Sequence, residues 1–237
     1  MERHAAVGAT STIALNPADD FYFVCHDRVT GSAQLNTRAT ELGLAGGLLI
    51  AALFDGRITL DTGLVTAVDQ RPAAPDDLGG RDEQAAETTV PELIWGQVVA
   101  EPWRYPVRTW LTVLGSNAVP TVVDRLAGLG HLTVSGSRRR GRRVAVPTDW
   151  KFAEWRAARL RDALTRRHQL RDKDVAVLAL LDASGLHDFI LDGLEPSAHD
   201  YHAYLLAGLQ RTHPDVFEVA AHTQAAVAAT VMARGHS

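Results

Sequence analysis

Residues 41–61 read ELGLAGGLLIAALFDGRITLD, and from Leu42 to Phe54 no side chain is charged. Apolar residues fall on every face of a helix drawn over those positions, and a helix apolar all round is buried all round. It would rise about 20 Å, short of the roughly 20 residues that a bilayer crossing needs, so it reads as the central helix of a core. Gly43, Gly46 and Gly47 cost helix propensity, which makes close approach of neighbouring backbones their use. Asp55-Gly56 is a turn signal, and Arg57-Ile58-Thr59-Leu60 alternates as a short strand would.

Upstream, Asn16-Pro17 offers an N-cap and a first-turn proline for a helix reaching about His26, with Phe21, Phe23, Val24 and Cys25 inward. Thr30-Gly31-Ser32 closes it, and Thr37 or Thr40 is the expected cap of the central helix. Downstream, residues 62–90 are rich in Pro, Gly and acids and read as a loop. This loop does not divide domains, because the central helix still needs partners from later segments. Short helices are expected over 90–100, 107–114 and 118–128, the last with Val119, Val122, Val123 and Leu126 at helical spacing. Residues 131–147 form a β-hairpin around SGSRRRGR. Thr148-Asp149 caps a basic helix to about Leu170, with Phe152, Trp155, Leu160 and Leu164 as its apolar stripe. Helices follow over 175–181, 184–191, 197–209 and 214–232. The expectation is a mainly α fold: a flexible stretch over 1–12, then one domain over 13–237. In it a buried central helix is ringed by amphipathic helices, with four or so short strands and a projecting hairpin.

The 237 residues are 46% hydrophobic and 22% charged, ordinary globular values that allow a sizeable core. Cys25 is the only cysteine, so no intramolecular disulfide can form and a reducing cytoplasm is the expected home. MERHAAVGATST lacks the apolar core of a secretory signal, and no run reaches membrane-spanning length, so the protein is expected to be soluble or peripheral. The net charge of −4 hides an asymmetry, because residues 138–173 hold 13 Lys or Arg against four acids. Such a split marks a face that meets an anion, whether membrane, nucleic acid or acidic protein.

The hairpin tip, with Arg138, Arg139, Arg140, Arg142 and Arg143, carries the main functional signal. Guanidinium groups bind phosphate bidentately and stay charged, and five so close repel one another unless an anion joins them. Other constellations fall short of chemistry. His199-x-x-His202 beside Asp200 supplies only two of the three or four ligands a metal needs. Ser184, His187 and Asp188 lie close in sequence, but no G-x-S-x-G elbow accompanies them. Gly43–Gly47 lacks the Gly-Lys-[Ser/Thr] of a phosphate loop and the preceding strand of a dinucleotide fingerprint. Cys25 reads as core. Of Trp95, Trp103, Trp110, Trp150 and Trp155, most are expected in the core, although an indole also suits a membrane interface. No acid/base, nucleophile or metal set emerges, so the expectation is a non-enzymatic protein without cofactor or metal.

LAGGLLIAALFDGRITLD, PADDFYFVCHDRVTGS at 17–32 and RDKDVAVLALLDASGL at 171–186 occur in an order that resembles the Golgi phosphoprotein 3 family, and the likeness extends over about residues 11–234. The resemblance implies a mainly helical domain with a buried central helix and a projecting hairpin. It also implies binding of phosphatidylinositol 4-phosphate and of glycosyltransferase tails at membranes. The family's head-group pocket uses a Trp and three Arg. The matching positions here are Asn36, Ala45, Ser116 and Val119, so all four pocket side chains are replaced. Arg38, Arg104, Arg108 and Arg125 are the fallback candidates for a rebuilt anion site. The functional expectation is a peripheral membrane or adaptor protein on the cytoplasmic side of the cell membrane, meeting anionic lipid head groups through the hairpin. Acidic protein tails and a second copy bound through the hairpin are further expected partners. The alternative is a winged-helix-like DNA-binding protein, with 118–128 as its helix and the arginine hairpin as its wing.

Overall fold

The computed structural model describes residues 15–68, 89–101, 103–137 and 142–234. In chain order the elements are α1 (Pro17–Cys25), α2 (Thr37–Phe54), β1 (Ile58–Asp61), β2 (Leu64–Ala67), α3 (Val90–Ala100), α4 (Val107–Gly128), β3 (Leu132–Ser137), β4 (Arg142–Pro147), α5 (Trp150–Arg166), α6 (Asp172–Ala183), α7 (His187–Leu191), α8 (Pro196–Thr212) and α9 (Pro214–Arg234). The fold is mainly α, with two small antiparallel sheets, β1–β2 and β3–β4, among the described residues.

α2 is the central helix, buried without a break from Leu42 to Ala52 and packed by α1, α3, α4, α6 and α9. Each of Leu44, Leu48, Leu49 and Ile50 contributes on the order of 2 kcal/mol by leaving water. The glycines set how near its neighbours come. A Cβ on Gly47 would lie 2.7 Å from the Cα of Ala18 in α1, and one on Gly43 would lie 2.3 Å from Phe21 Cζ. The cap is neither threonine: Asn36 accepts from the Ala39 N–H through its side chain, and the helix starts at Thr37. Asn ranks above Thr as a cap, and its side-chain oxygen here reaches the third helical N–H.

Three further expectations change. The helices expected over 107–114 and 118–128 are one, α4, which runs through Pro120. Trp110, Leu111, Leu114, Ala118, Val122 and Leu126 form a continuous buried stripe on it, and that burial outweighs the local breaking signal of Gly115-Ser116-Asn117. The supposed DNA-reading helix is therefore the second half of a core helix, with Val122 and Val123 buried, which removes the main support for the winged-helix alternative. Within the expected loop, Leu64–Ala67 is strand β2, paired with β1. α5 stops at Arg166 because Arg167 turns left-handed, with φ of 54°. Contrary to the expectation that no run reaches membrane-spanning length, two helices among the described residues, α2 and α9, are long and apolar enough to cross a membrane by length and composition; α2 is 72% buried inside the protein and α9 28%.

Candidate functional site

The hairpin is the extension of a docked base. β3 and β4 pair from Leu132↔Pro147 out to Ser137↔Arg142, so Arg142 and Arg143 lie in β4 opposite Ser137 and Gly136. Arg138, Arg139 and Arg140, like residues 1–12 and most of the 62–90 loop, lie outside the described residues. At the base, the loop after α1 closes against β4. Gly31, at φ of +67°, lets the chain pass so close that a Cβ there would sit 2.0 Å from the Ala145 carbonyl oxygen. Asp27 fixes that loop, its Oδ1 accepting from the backbone N–H of Val29 at 3.0 Å and of Thr30 at 2.7 Å. These hydrogen bonds favour the ionised carboxylate and hold its pKa below the usual range. Replacing Gly31 by Ala should loosen loop and hairpin together, at a cost of about 2 kcal/mol. An unchanged thermal melt would count against this docking.

The docked loop brings three segments together. Val29 (72% exposed) comes from the loop, Val144 (44%) from β4 and Trp150 (50%) from the first turn of α5. Two basic groups flank the indole: the Arg28 guanidinium, which also pairs with Glu154 at 3.5 Å, lies 5.9 Å from the Trp150 ring centroid, and Lys151 Nζ lies 5.8 Å from it. Trp155 is exposed too, so the stripe expected from Phe152 to Leu164 is corrected at that position. Its ring carries Arg156 and Arg159 at 5.2 Å each. Trp103 is likewise exposed, whereas Trp110 is core and Trp95 is half-buried, with its indole N–H donating to the Val68 carbonyl at 3.0 Å.

Behind α5 lies a buried network of arginines and aspartates. Asp19 and Asp20 of α1 and Asp174 of α6 are all buried. Arg125 meets Asp19 at 3.0 Å, Arg156 meets Asp20 at 2.8 Å, and Arg159 bridges Asp20 at 3.8 Å and Asp174 at 2.8 Å. Burial pushes the Asp19 carboxyl up to about 6, against the opposing pull of Arg125. It pushes Asp20 up as well, against Arg156 and Arg159. Composition and spacing did not reveal this set; the only signal was the acidic pair Asp19-Asp20 on a helix otherwise apolar.

The fallback anion candidates divide. Arg125 is spent on Asp19, Arg38 pairs with Glu41 at 3.1 Å, and Arg104 pairs with Asp61 at 3.6 Å, whereas Arg108 is exposed on α4. The remaining motifs stay apart. His202 is buried against Asp182 at 3.4 Å while His199 is exposed, and among the described residues no group of three metal-ligating side chains occurs. Ser184 is buried, and His187 turns to Asp188 at 3.0 Å. Cys25 is fully buried, which pushes its thiol pKa up and leaves it inert.

A central apolar helix, α1 lying on its glycines and a hairpin after α4 form the framework in which the sequence resemblance was found. The family model described as Golgi phosphoprotein 3 (GPP34) matches residues 18–232. The chain belongs to that family. No curated protein matches it. Of the four positions expected from the resemblance to match the family's head-group pocket, Asn36 is the exposed cap of α2 and Ala45 is fully buried. Ser116 is exposed, its hydroxyl donating to the Val113 carbonyl at 2.7 Å, and Val119 is half-buried. Nothing at these four positions offers a charge to a phosphate.

Proposed function

We propose that this Golgi phosphoprotein 3 family member is a non-enzymatic peripheral protein. It docks on anionic membrane surfaces through the hairpin and its base, from the cytoplasmic side. One observation carries this reading: the loop after α1, β4 and the start of α5 meet at the foot of a hairpin whose connection is arginine-rich, and there Val29, Val144 and Trp150 are exposed, with Arg28 and Lys151 beside the Trp150 ring. Indole rings and short apolar side chains favour the boundary between head groups and acyl chains. Basic residues near an anionic surface add about 1 kcal/mol each. The same face suits acidic segments of partner proteins, which would make the protein an adaptor between them and the membrane.

Two variants test the two halves of this surface by co-sedimentation with vesicles of phosphatidylglycerol and phosphatidylcholine. Exchanging Arg138, Arg139, Arg140, Arg142 and Arg143 for Ser should lower binding at least tenfold at physiological salt, with the melt unchanged. Exchanging Val29 and Trp150 for Ser should lower it severalfold and leave the remaining binding more sensitive to salt, since the electrostatic part alone is screened. Vesicle binding equal to wild type in both variants would reject the reading. Selectivity for phosphatidylinositol 4-phosphate over other lipids of equal charge is not expected, given the side chains at Asn36, Ala45, Ser116 and Val119.

A further inference from the structure

We propose that the cavity flanked by α1, α5 and the start of α6 is a binding site for a small molecule carrying a phosphomonoester on an apolar or aromatic body. The cavity has a volume of about 650 Å³, and Arg156, Arg171, Lys173, Phe152, Trp155 and His131 are among its walls. None of Asn36, Ala45, Ser116 and Val119 lines it, so it is separate from the positions expected to match the family's head-group pocket.

The charge balance selects an anion. Three arginines share two carboxylates: Arg156 and Arg159 hold Asp20, while Arg159 at 2.8 Å and Arg171 at 3.3 Å hold Asp174. One positive charge is left over in this set. Lys173 contributes another cation, its Nζ 3.9 Å from Asp55 and therefore only loosely paired. Asp172, the other acid on the wall, is engaged by His213 Nε2 at 2.9 Å. On the wall itself Arg156, Arg171 and Lys173 outnumber Asp20 and Asp172 by one, and a phosphomonoester, with roughly 1.5 to 2 negative charges at neutral pH and three acceptor oxygens, can engage all three of these donors. Asp20 also anchors the Arg156 guanidinium over the Phe152 ring, 4.4 Å from its centroid, so that this donor is held in place before a ligand arrives.

The apolar half of the ligand follows from the remaining walls. His131 and Phe152 stack with centroids 4.6 Å apart and planes within 5°. Trp155 and Phe54 continue the apolar surface around them. A phosphoryl group fills only a small part of the volume, so the site has room for an attached ring or chain. This inference does not rest on membrane docking, because a soluble phosphate ester is sufficient to occupy the cavity.

The test uses the full chain and phenyl phosphate, followed by titration calorimetry, with phenyl sulfate as the singly charged control of similar shape. Arg171 and Lys173 have side chains 81% and 48% exposed, so the double variant Arg171→Gln/Lys173→Gln should keep the fold, which its melt confirms. Expected are a preference for phenyl phosphate over phenyl sulfate and a loss of about tenfold in affinity in the double variant. A second arm compares vesicles containing phosphatidic acid with phosphatidylglycerol vesicles of equal charge. A phosphatidic acid preference that disappears in the double variant would make a lipid the source of the phosphomonoester. Equal binding to both lipids, with phenyl phosphate still bound, would make the source soluble. The proposal is overturned if neither phosphomonoester is preferred, or if the preference survives the double variant. Failure of the hairpin variants to reduce vesicle binding would reject membrane docking and leave the calorimetric result standing, so the two proposals fail separately.

Discussion

Gly47→Leu should leave the chain unable to hold its native fold. A Cβ at that position would already lie 2.7 Å from the Ala18 Cα and 2.9 Å from its backbone nitrogen, so backbone and not a pliable side chain would have to move. α1 would then be pushed off α2, and with it the whole network of Asp19 and Asp20. A loss of about 4 kcal/mol or more is expected, a large share of the stability of a typical domain. Gly47→Ala puts two effects in opposition. It gains about 1 kcal/mol of helix propensity and pays about 1–3 kcal/mol for overpacking, so a net loss is expected. Gly96 supplies the comparison, because it lies in α3 with nothing within 4 Å of an added Cβ. Gly96→Ala should therefore stabilise by up to about 1 kcal/mol. Urea midpoints for the three variants decide the matter. A Gly47→Leu protein melting close to wild type would show that α1 is not held against α2 in this way.

Arg125→Met should destabilise by about 3 kcal/mol at pH 7.5, because Asp19 is fully buried and loses the cation that lies 3.0 Å away. The loss should shrink toward pH 5. With its pKa already pushed up to about 6 by burial, Asp19 takes up a proton readily once Arg125 no longer opposes this, and the neutral acid is cheaper to bury. The same group fixes a sign for wild type. A carboxyl whose folded pKa lies above its unfolded value contributes stability that is fully present below about 4 and lost as the pH rises through about 6. His26 and His131, whose pKa values burial lowers, act in the opposite sense, since the unfolded chain binds their protons first as the pH falls. The net profile of wild type therefore mixes both, and the difference from Asp19→Asn isolates the carboxyl. From pH 5 to pH 7, wild type should lose about 1 kcal/mol relative to that variant. Parallel stability profiles for the two proteins would contradict the raised pKa of Asp19.

Most of the architecture was legible because it rests on one stretch. An uncharged run from Leu42 to Phe54 has no stable place except the centre of a core, and its three glycines announce close neighbours before any neighbour is known. Asn16-Pro17 marked the start of α1 by local chemistry alone, and the observed capping box confirms it. The hairpin was legible from alternating apolar residues on either side of a turn. Boundaries failed where a local signal and a distant one disagreed: Gly115-Ser116-Asn117-Ala118-Val119-Pro120 reads as a break until α2 buries both of its flanks.

The candidate site was less legible. Trp155 satisfies the spacing of a buried stripe on α5, yet the helix turns Phe152 and Leu164 inward and leaves that indole outside. Spacing places residues on a face of a helix; it does not say how wide the covered face is. Likewise Val29, Val144 and Trp150 are far apart in sequence, and no pattern in any one segment marks them as a set.

The sequence by itself determined the fold class, the central helix, the existence of the hairpin and its cationic turn, because each follows from composition or periodicity within a few residues. Only the tertiary structure decided which charges remain free. Arg156 and Arg159 belong to the same basic stretch as the hairpin arginines, and Arg125 was itself a candidate for an anion site, yet they are tied to Asp19, Asp20 and Asp174 from α1 and α6. Whether an arginine serves the core or meets a ligand depends on which acid the fold brings within about 4 Å of it, and that distance is a property of packing between segments far apart in the chain.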